Sequence, residues 1–383
     1  MKHARRTLAA ALAVVLLLGT TAPALAAPPG LAEVQRNLDL LTTADGVPGA
    51  LAHVRDGDGR ERTLTSGTAQ IGTGRPMTGA RDTFRIASVT KPFLAVTLLQ
   101  LRVDLDAPVE RYLPGVVRGR GAGAAIDGRR ITVRQLLQHT SGIPEYSRAF
   151  DWSKPFPDQP VGYLDLALAL APTGEPGQRW AYSNTNYLLA GMIVNRLAGK
   201  DFRAVTEERV LRLLGMTATY WPAKTEYALR GGHAQHYGVH PANPAAGVVD
   251  ITSFPGYELG ASGGLVSTPA DLARFWRGLE SGRLLPRHLV RSMTADMRPV
   301  EGQDFSYGLG IGSIPLSCGG SVLAHSGDVP GVTTYSGHSP ATRPHASGPR
   351  PDRTVTVFIT TNSNTAERAR HLTAAFDAAF CSR

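Results

Sequence analysis

The run Gly49-Ala50-Leu51-Ala52-His53-Val54-Arg55, the turn Asp56-Gly57-Asp58-Gly59 and the run Arg60-Glu61-Arg62-Thr63-Leu64-Thr65-Ser66-Gly67 decide the fold. Two extended stretches joined by Asp-Gly pairs read as an antiparallel hairpin, because Asp and Gly reach the positive φ values that a tight turn demands. A lone hairpin is marginal in water, so more strands must join it. Three candidates lie at the other end of the chain, Ser321 to His325, Val332 to Ser336 and Thr354 to Thr360. Helices bracket both groups: Leu31, Val34, Leu38 and Leu41 fall at helical spacing, as do Leu372, Phe376 and Phe380. From about Asp104 to Asp250 the pattern changes to helical stretches, Thr132 to Gln138, Tyr163 to Leu170 and Asn186 to Leu197, cut by Pro- and Gly-rich loops. The expected fold is therefore α+β, one antiparallel sheet built from both chain ends and flanked by helices, with an inserted, mostly helical lobe. Residues 31–103 and 255–383 form the first lobe and residues 104–254 the second, and the cleft between them is the natural place for a site. His338 to Arg353, with four prolines and no apolar periodicity, reads as an extended, solvent-exposed hairpin loop.

With 383 residues, 42% of them hydrophobic, the chain can bury a large core and is neither disordered nor fibrous. Lys2, Arg5 and Arg6, the apolar run Leu8 to Leu18 and then Ala24-Leu25-Ala26 read as a secretory signal, 1–26, with the mature domain at 27–383. A dozen or so apolar residues fall short of the roughly 20 that span a bilayer, so no stable membrane span is expected and the mature protein is expected to be secreted. Without the three basic residues of the signal, the 40 basic and 31 acidic residues leave +6. The arginines are scattered, without the clusters of a nucleic-acid surface, and no nucleic-acid partner is expected. Cys318 and Cys381 are the two cysteines. An oxidising compartment favours one disulfide between them over two separate thiols. Neither has metal-ligand spacing to a histidine or cysteine, and no metal or cofactor is expected.

The chemistry starts at Ser88-Val89-Thr90-Lys91, followed by the apolar run Phe93 to Leu101. Residues three apart share a helix face, which brings the lysine amine back beside the serine hydroxyl, where it can take the proton of a nucleophile. The helix N-terminus adds backbone donors for a developing oxyanion. Alone, Ser-x-x-Lys is a common accident. Two further elements give it weight: Tyr182-Ser183-Asn184, where a phenol near a lysine can have its pKa lowered and shuttle a proton while an amide orients a carbonyl, and His325-Ser326-Gly327 at the end of an expected strand, where the glycine lets a substrate backbone lie close.

In this order the three elements resemble the signatures of the serine beta-lactamase and penicillin-binding-protein superfamily. The chain is similar to the class C type, and most of all to secreted D-alanyl-D-alanine carboxypeptidases. The resemblance extends over Ile131 to Gly142, Ala261 to Thr268, Tyr307-Gly308-Leu309-Gly310, Leu316 to Gly319 and Phe380-Cys381, and the last two favour the disulfide. It implies that Ser88 is acylated, that Lys91 and Tyr182 move protons, that Asn184 contacts the substrate amide, and that His325, Ser326 and Gly327 line the opposite wall. It further implies an oxyanion hole from the backbone N–H groups of Ser88 and Asp328, with His139 to Gly142 as a structural turn. The implied partners are small-molecule or peptide substrates such as peptidoglycan stem peptides, with beta-lactams as covalent ligands. An esterase, a beta-lactamase or a slowly deacylating penicillin-binding sensor are the alternatives on this scaffold.

Three departures bear on the substrate. Where the carboxypeptidases place basic side chains, Ile311, Gly312 and Ser313 stand here, and Asp328 replaces a small hydroxyl residue. Both changes make a free carboxylate less welcome. The stretch after Leu101 is shortened, with Arg102-Val103 leading directly to Asp104. Gly260-Ala261-Ser262-Gly263-Gly264 fits a nucleophile elbow, but Ser253 to Tyr257 before it is broken by Pro255 and Gly256 and cannot be the buried strand an elbow needs.

Overall fold

The computed structural model describes residues 30–382 except 78, 151–159, 240–242, 244, 246 and 341–351. The expected secretory segment, 1–26, lies outside the described residues. The hairpin is present as β1 (Gly49–Asp56) and β2 (Glu61–Gly67). Downstream come β3 (Arg298–Pro299), β4 (Ser306–Tyr307), β5 (Gly312–Pro315), β6 (Ser321–Val329), β7 (Val332–Ser339) and β8 (Arg353–Ile359). One eight-stranded sheet results, in the order β2-β1-β8-β7-β6-β5-β4-β3, so the N-terminal hairpin joins the last strand in sequence. Every pairing in it is antiparallel, with Ala52 opposite Val357 on one side of β1 and Leu64 on the other.

Alternation along the strands sorts two cores. Ala50, Ala52 and Val54 face one way with Val355, Val357 and Ile359, and are covered by α1 (Ala32–Thr43) through Val34, Leu38 and Leu41 and by α5 (Ala366–Cys381) through Leu372, Phe376 and Phe380. Leu51 and Phe358 face the other way, into a larger core with α2 (Lys91–Gln100), α3 (Asn184–Ala198) and α4 (Pro269–Glu280). Each fully buried Leu or Phe contributes about 1.5–3 kcal/mol relative to exposure. The inserted lobe carries the expected short helices at Val133–Leu137 and Val161–Leu168, the first opened by a Thr132/Gln135 capping box.

Three details differ from expectation. Strand β6 runs on to Val329, because the Pro330-Gly331 turn, with Gly331 at φ 84°, closes it with β7 as a hairpin, and β7 runs on to Ser339 opposite Arg353 of β8; His325-Ser326-Gly327 therefore sits inside a strand rather than at its end. His338, Ser339 and Arg353, assigned from sequence to an exposed loop, are buried strand residues. Arg353 is held by Asp56 Oδ1 at 2.7 Å and by the carbonyls of Ala379 and Ser382, a charged pairing that proline-rich flanks conceal. The rest of that loop, 341–351, lies outside the described residues. The shortened stretch after α2 is accommodated by Arg102 at φ 55°.

Cys318 and Cys381 form a disulfide across 63 residues, fixing the turn after β5 to the last residue of α5. The oxidised protein should titrate with no free thiol, and reduction should cost about 2–5 kcal/mol of unfolding free energy. An unchanged denaturation midpoint after reduction, with both thiols shown free by alkylation, would count against that contribution.

Candidate active site

The Ser88 backbone is fixed before its side chain is considered. Phe84–Arg85 pairs with Val266–Ser267, and the Ile86 N–H continues the ladder to the Leu265 carbonyl at 3.2 Å. The buried Arg85 guanidinium ties this strand to the carbonyls of Tyr227, Thr252 and Phe254. The chain then reverses at Ala87, a non-glycine residue at φ 48°, a conformation held only when its surroundings enforce it. Ser88 is the second residue of a 3-10 turn, Ala87–Thr90, that runs into α2, so its backbone N–H lies among the opening donors that no helical carbonyl satisfies. Gly327 of β6 packs directly on this bend, where an added Cβ would lie 2.3 Å from the Ile86 oxygen. That glycine accommodates the protein's own Ile86 backbone; the sequence reading had given it to a substrate.

Lys91 has no exposed surface, and its Nζ lies 2.9 Å from Ser88 Oγ, 2.8 Å from Asn184 Oδ1 and 2.7 Å from the Ser262 carbonyl. Burial lowers its pKa to about 7, opposed by the charge of Glu145. Two of its neighbours, an amide oxygen and a main-chain carbonyl, can only accept. A neutral amine therefore spends both N–H groups on Asn184 and Ser262 and directs its lone pair at Ser88. Asn184 is placed as the first residue of α3, with its backbone N–H bonded to the Glu145 carboxylate.

Tyr182 Oη donates to Ser88 Oγ at 2.6 Å. More than a third of the residue, 37%, is exposed, and it lines the cleft. Desolvation of the ionised form pushes its pKa above the ordinary phenol value, with the Ser88 hydrogen bond opposing. This corrects the expectation of a lowered phenol pKa, since a lysine that is largely neutral offers little charge to stabilise a phenolate.

Across the cleft, β5 covers β6 only from Ser321 to Ala324, leaving the edge open from His325 onward. Val329 and Val332 flank a two-residue turn as a bonded pair, so by the alternation of the ladder the Asp328 N–H points away from β7, toward that open edge. His325 donates from Nδ1 to the Ser326 carbonyl at 2.5 Å and accepts from Tyr307 Oη at Nε2, 2.8 Å. Burial, then the nearby Lys91, lowers its pKa to about 3, so it is neutral. The Asp328 carboxylate is turned onto Thr333 and Asn362 and is absent from the cleft lining, so it does not oppose a bound carboxylate as directly as the sequence suggested. Gly312 does line the cleft, whereas Ser313 bonds Ser321 outside it.

A cleft of about 340 Å³ joins Tyr182 to His325 and Ser326, with Trp180, Phe305, Tyr307 and Tyr335 in its walls and Asp304 as its one acid. The sequence reading missed Glu145, Trp180 and the Ser262 carbonyl. Ser262 was visible only as a failed elbow, and its hydroxyl is indeed spent on the Leu259 carbonyl at 2.8 Å. Away from the cleft, Glu280, His338 and Asp352 bring ligand atoms within 4.8 Å of one another, but Asp352 is already shared between His338 and Arg277, and the set reads as an ion-pair network.

The family model described as Beta-lactamase matches residues 34–380. Penicillin-binding protein 4* of Bacillus subtilis is 27% identical over 284 residues, 70% of this chain and 60% of that protein, so the chain spans less than two thirds of this relative's length. Among solved structures, a D-stereospecific amidohydrolase from Streptomyces sp. is 33% identical with a TM-score of 0.76, covering 92% of this chain and 99% of that one. D-amino acid amidase from Ochrobactrum anthropi SV3 is 26% identical with a TM-score of 0.75, covering 90% and 97%.

The lysine geometry fixes a pH dependence. Protonation removes the lone pair that faces Ser88, so acylation should fall as pH drops through about 7 and level off above it. Rates of acylation by an activated ester between pH 5 and 9 test this, and a flat profile would mean that Lys91 does not deprotonate Ser88.

Proposed function

This chain belongs to the beta-lactamase family and is a serine hydrolase, and from that premise we propose that it cleaves amides and esters of D-amino acids whose distal carboxylate is absent or masked. Neutral Lys91 takes the Ser88 proton as Oγ attacks the substrate carbonyl. The oxyanion is held by the backbone N–H groups of Ser88 and Asp328, and Asn184 orients the acyl amide. Tyr182 gives its proton to the leaving nitrogen and recovers one from the Lys91 ammonium, which lies 4.8 Å from the centre of the phenol ring. Water then releases the acyl group by the reverse sequence of transfers.

The composition of the cleft carries this reading. Tyr182, the residue given the proton of the departing group, lines it, so we assign that group to this cleft. Among the described residues that line it there is no lysine or arginine, His325 is neutral, and Asp304 is the only charge. A free carboxylate bound there would gain no charge-assisted pairing, which is among the stronger polar contacts, while an uncharged aromatic or apolar group meets four aromatic walls. Similarity to two hydrolases of D-configured amides supports the acyl side. Residues 1–26 support an exported enzyme, for which peptidoglycan peptides are the nearest source of D-aminoacyl groups.

D-Alanyl-D-alanine amide should therefore be hydrolysed with a higher kcat/KM than free D-alanyl-D-alanine, and Gly312→Arg should narrow the gap by adding a cation to the lining. A clear preference for the free acid in the unmodified protein would overturn this reading in favour of a carboxypeptidase. Intact-mass measurement with a beta-lactam over time should show an adduct that Ser88→Ala abolishes. An adduct that forms but never clears would instead mark a penicillin-binding sensor.

A further inference from the structure

His139 holds the segment that carries Tyr182 from both sides. Its carbonyl accepts the Ala181 N–H at 2.8 Å and its ring Nδ1 accepts the Ser183 N–H at 3.2 Å, so the two amides flanking Tyr182 end on one residue. The imidazole also packs against the Tyr182 ring, with centroids 4.4 Å apart, and Nδ1 takes a second donor from Asn186 of α3 at 3.1 Å. With two donors on Nδ1, the ring proton belongs on Nε2, which is buried with no hydrogen-bond partner among the rings of Trp180, Tyr187 and Tyr307. His139 is itself at φ 59°, which a non-glycine residue adopts at a cost, and its neighbour Ser141 bonds Asn186 Oδ1 at 2.6 Å. Strain, an unpaired buried N–H and three acceptor contacts converging on one segment are more than a turn requires.

We propose that His139 is a positioning residue for the reaction, a neutral clamp that holds Tyr182 in line to protonate the leaving group. The inference rests on the proton role given to Tyr182 above. Burial, reinforced by Lys91 and His325, keeps the pKa of His139 well below the ordinary histidine value, which preserves Nδ1 as an acceptor through the working pH range. Protonating Nδ1 would remove both side-chain contacts together.

Two substrates with one acyl group separate this role from a structural one. The anilide of D-phenylalanine needs a proton on its leaving nitrogen; the 4-nitrophenyl ester leaves as a stable anion and does not. Both need Ser88 and Lys91, so the ratio of the two rates is independent of how much of a variant folds. Tyr182→Phe should lower the anilide-to-ester ratio about a hundredfold. His139→Phe, which keeps a ring and loses the acceptor, should lower it similarly. His139→Asn, which tolerates positive φ and offers an amide oxygen, should recover at least part of the ratio. A ratio that falls in Tyr182→Phe and stays unchanged in His139→Phe overturns the clamp alone. A ratio unchanged in Tyr182→Phe overturns the proton assignment, and the clamp with it.

Discussion

A lysine amine with no exposed surface is the constraint on which the rest of the structure turns. An ammonium removed from water costs several kcal/mol unless its protons are taken up, and here every acceptor comes from a different part of the chain. Ser88 lies in the 3-10 turn that leads into α2, Asn184 opens the principal helix of the inserted lobe, and the Ser262 carbonyl belongs to the Gly-rich turn before β-paired Val266. The site therefore exists only where both lobes and that turn meet. The same burial makes the amine a base near neutral pH, so the packing that assembles the fold also sets the protonation state that the chemistry needs.

That arrangement demands close backbone approaches, and the chain meets them with strain and with missing side chains. Ala87 takes a left-handed φ immediately before the nucleophile, and Gly327 lets β6 press on the same bend. The result is a nucleophile pinned between a sheet strand and a helix, with little freedom to drift from the amine. In the proposed reaction, positioning of this kind, rather than any unusual reactivity of serine, would let a weak nucleophile serve.

Much of this was legible in the sequence. The Asp-Gly hairpin and three of the six downstream strands were read, because turn chemistry and alternation are local signals; the two- to four-residue strands β3, β4 and β5 are too short to show either and were not. Ser88, Lys91, Tyr182 and Asn184 were legible because side-chain chemistry at helical or fixed spacing is also local. What stayed hidden was non-local. The Ser262 contribution is a main-chain carbonyl and has no side-chain signature. The Glu145 carboxylate acts through a backbone N–H of another lobe. The pKa of Tyr182 was read in the wrong direction because it depends on whether Lys91 carries its proton, which burial decides and spacing does not. The orientation of Asp328 follows from a cross-strand threonine and from Asn362, neither of which its own motif contains.

The charge of the cleft follows from the same economy of water. Two of its polar residues are neutral for identifiable reasons: His325 by burial and by a tautomer that Tyr307 and the Ser326 carbonyl fix, Tyr182 by the desolvation of a phenolate. Among the described residues no arginine or lysine side chain enters its lining, although the chain carries a net charge of +9. Overall charge therefore says little about what this site accepts. The Lys91 amine is already committed to Ser88, Asn184 and Ser262, so it cannot also serve as a distant anchor for a carboxylate. On the proposed function, selection among substrates would fall to the aromatic walls and to Asp304, which together would favour uncharged or cationic groups over anionic ones.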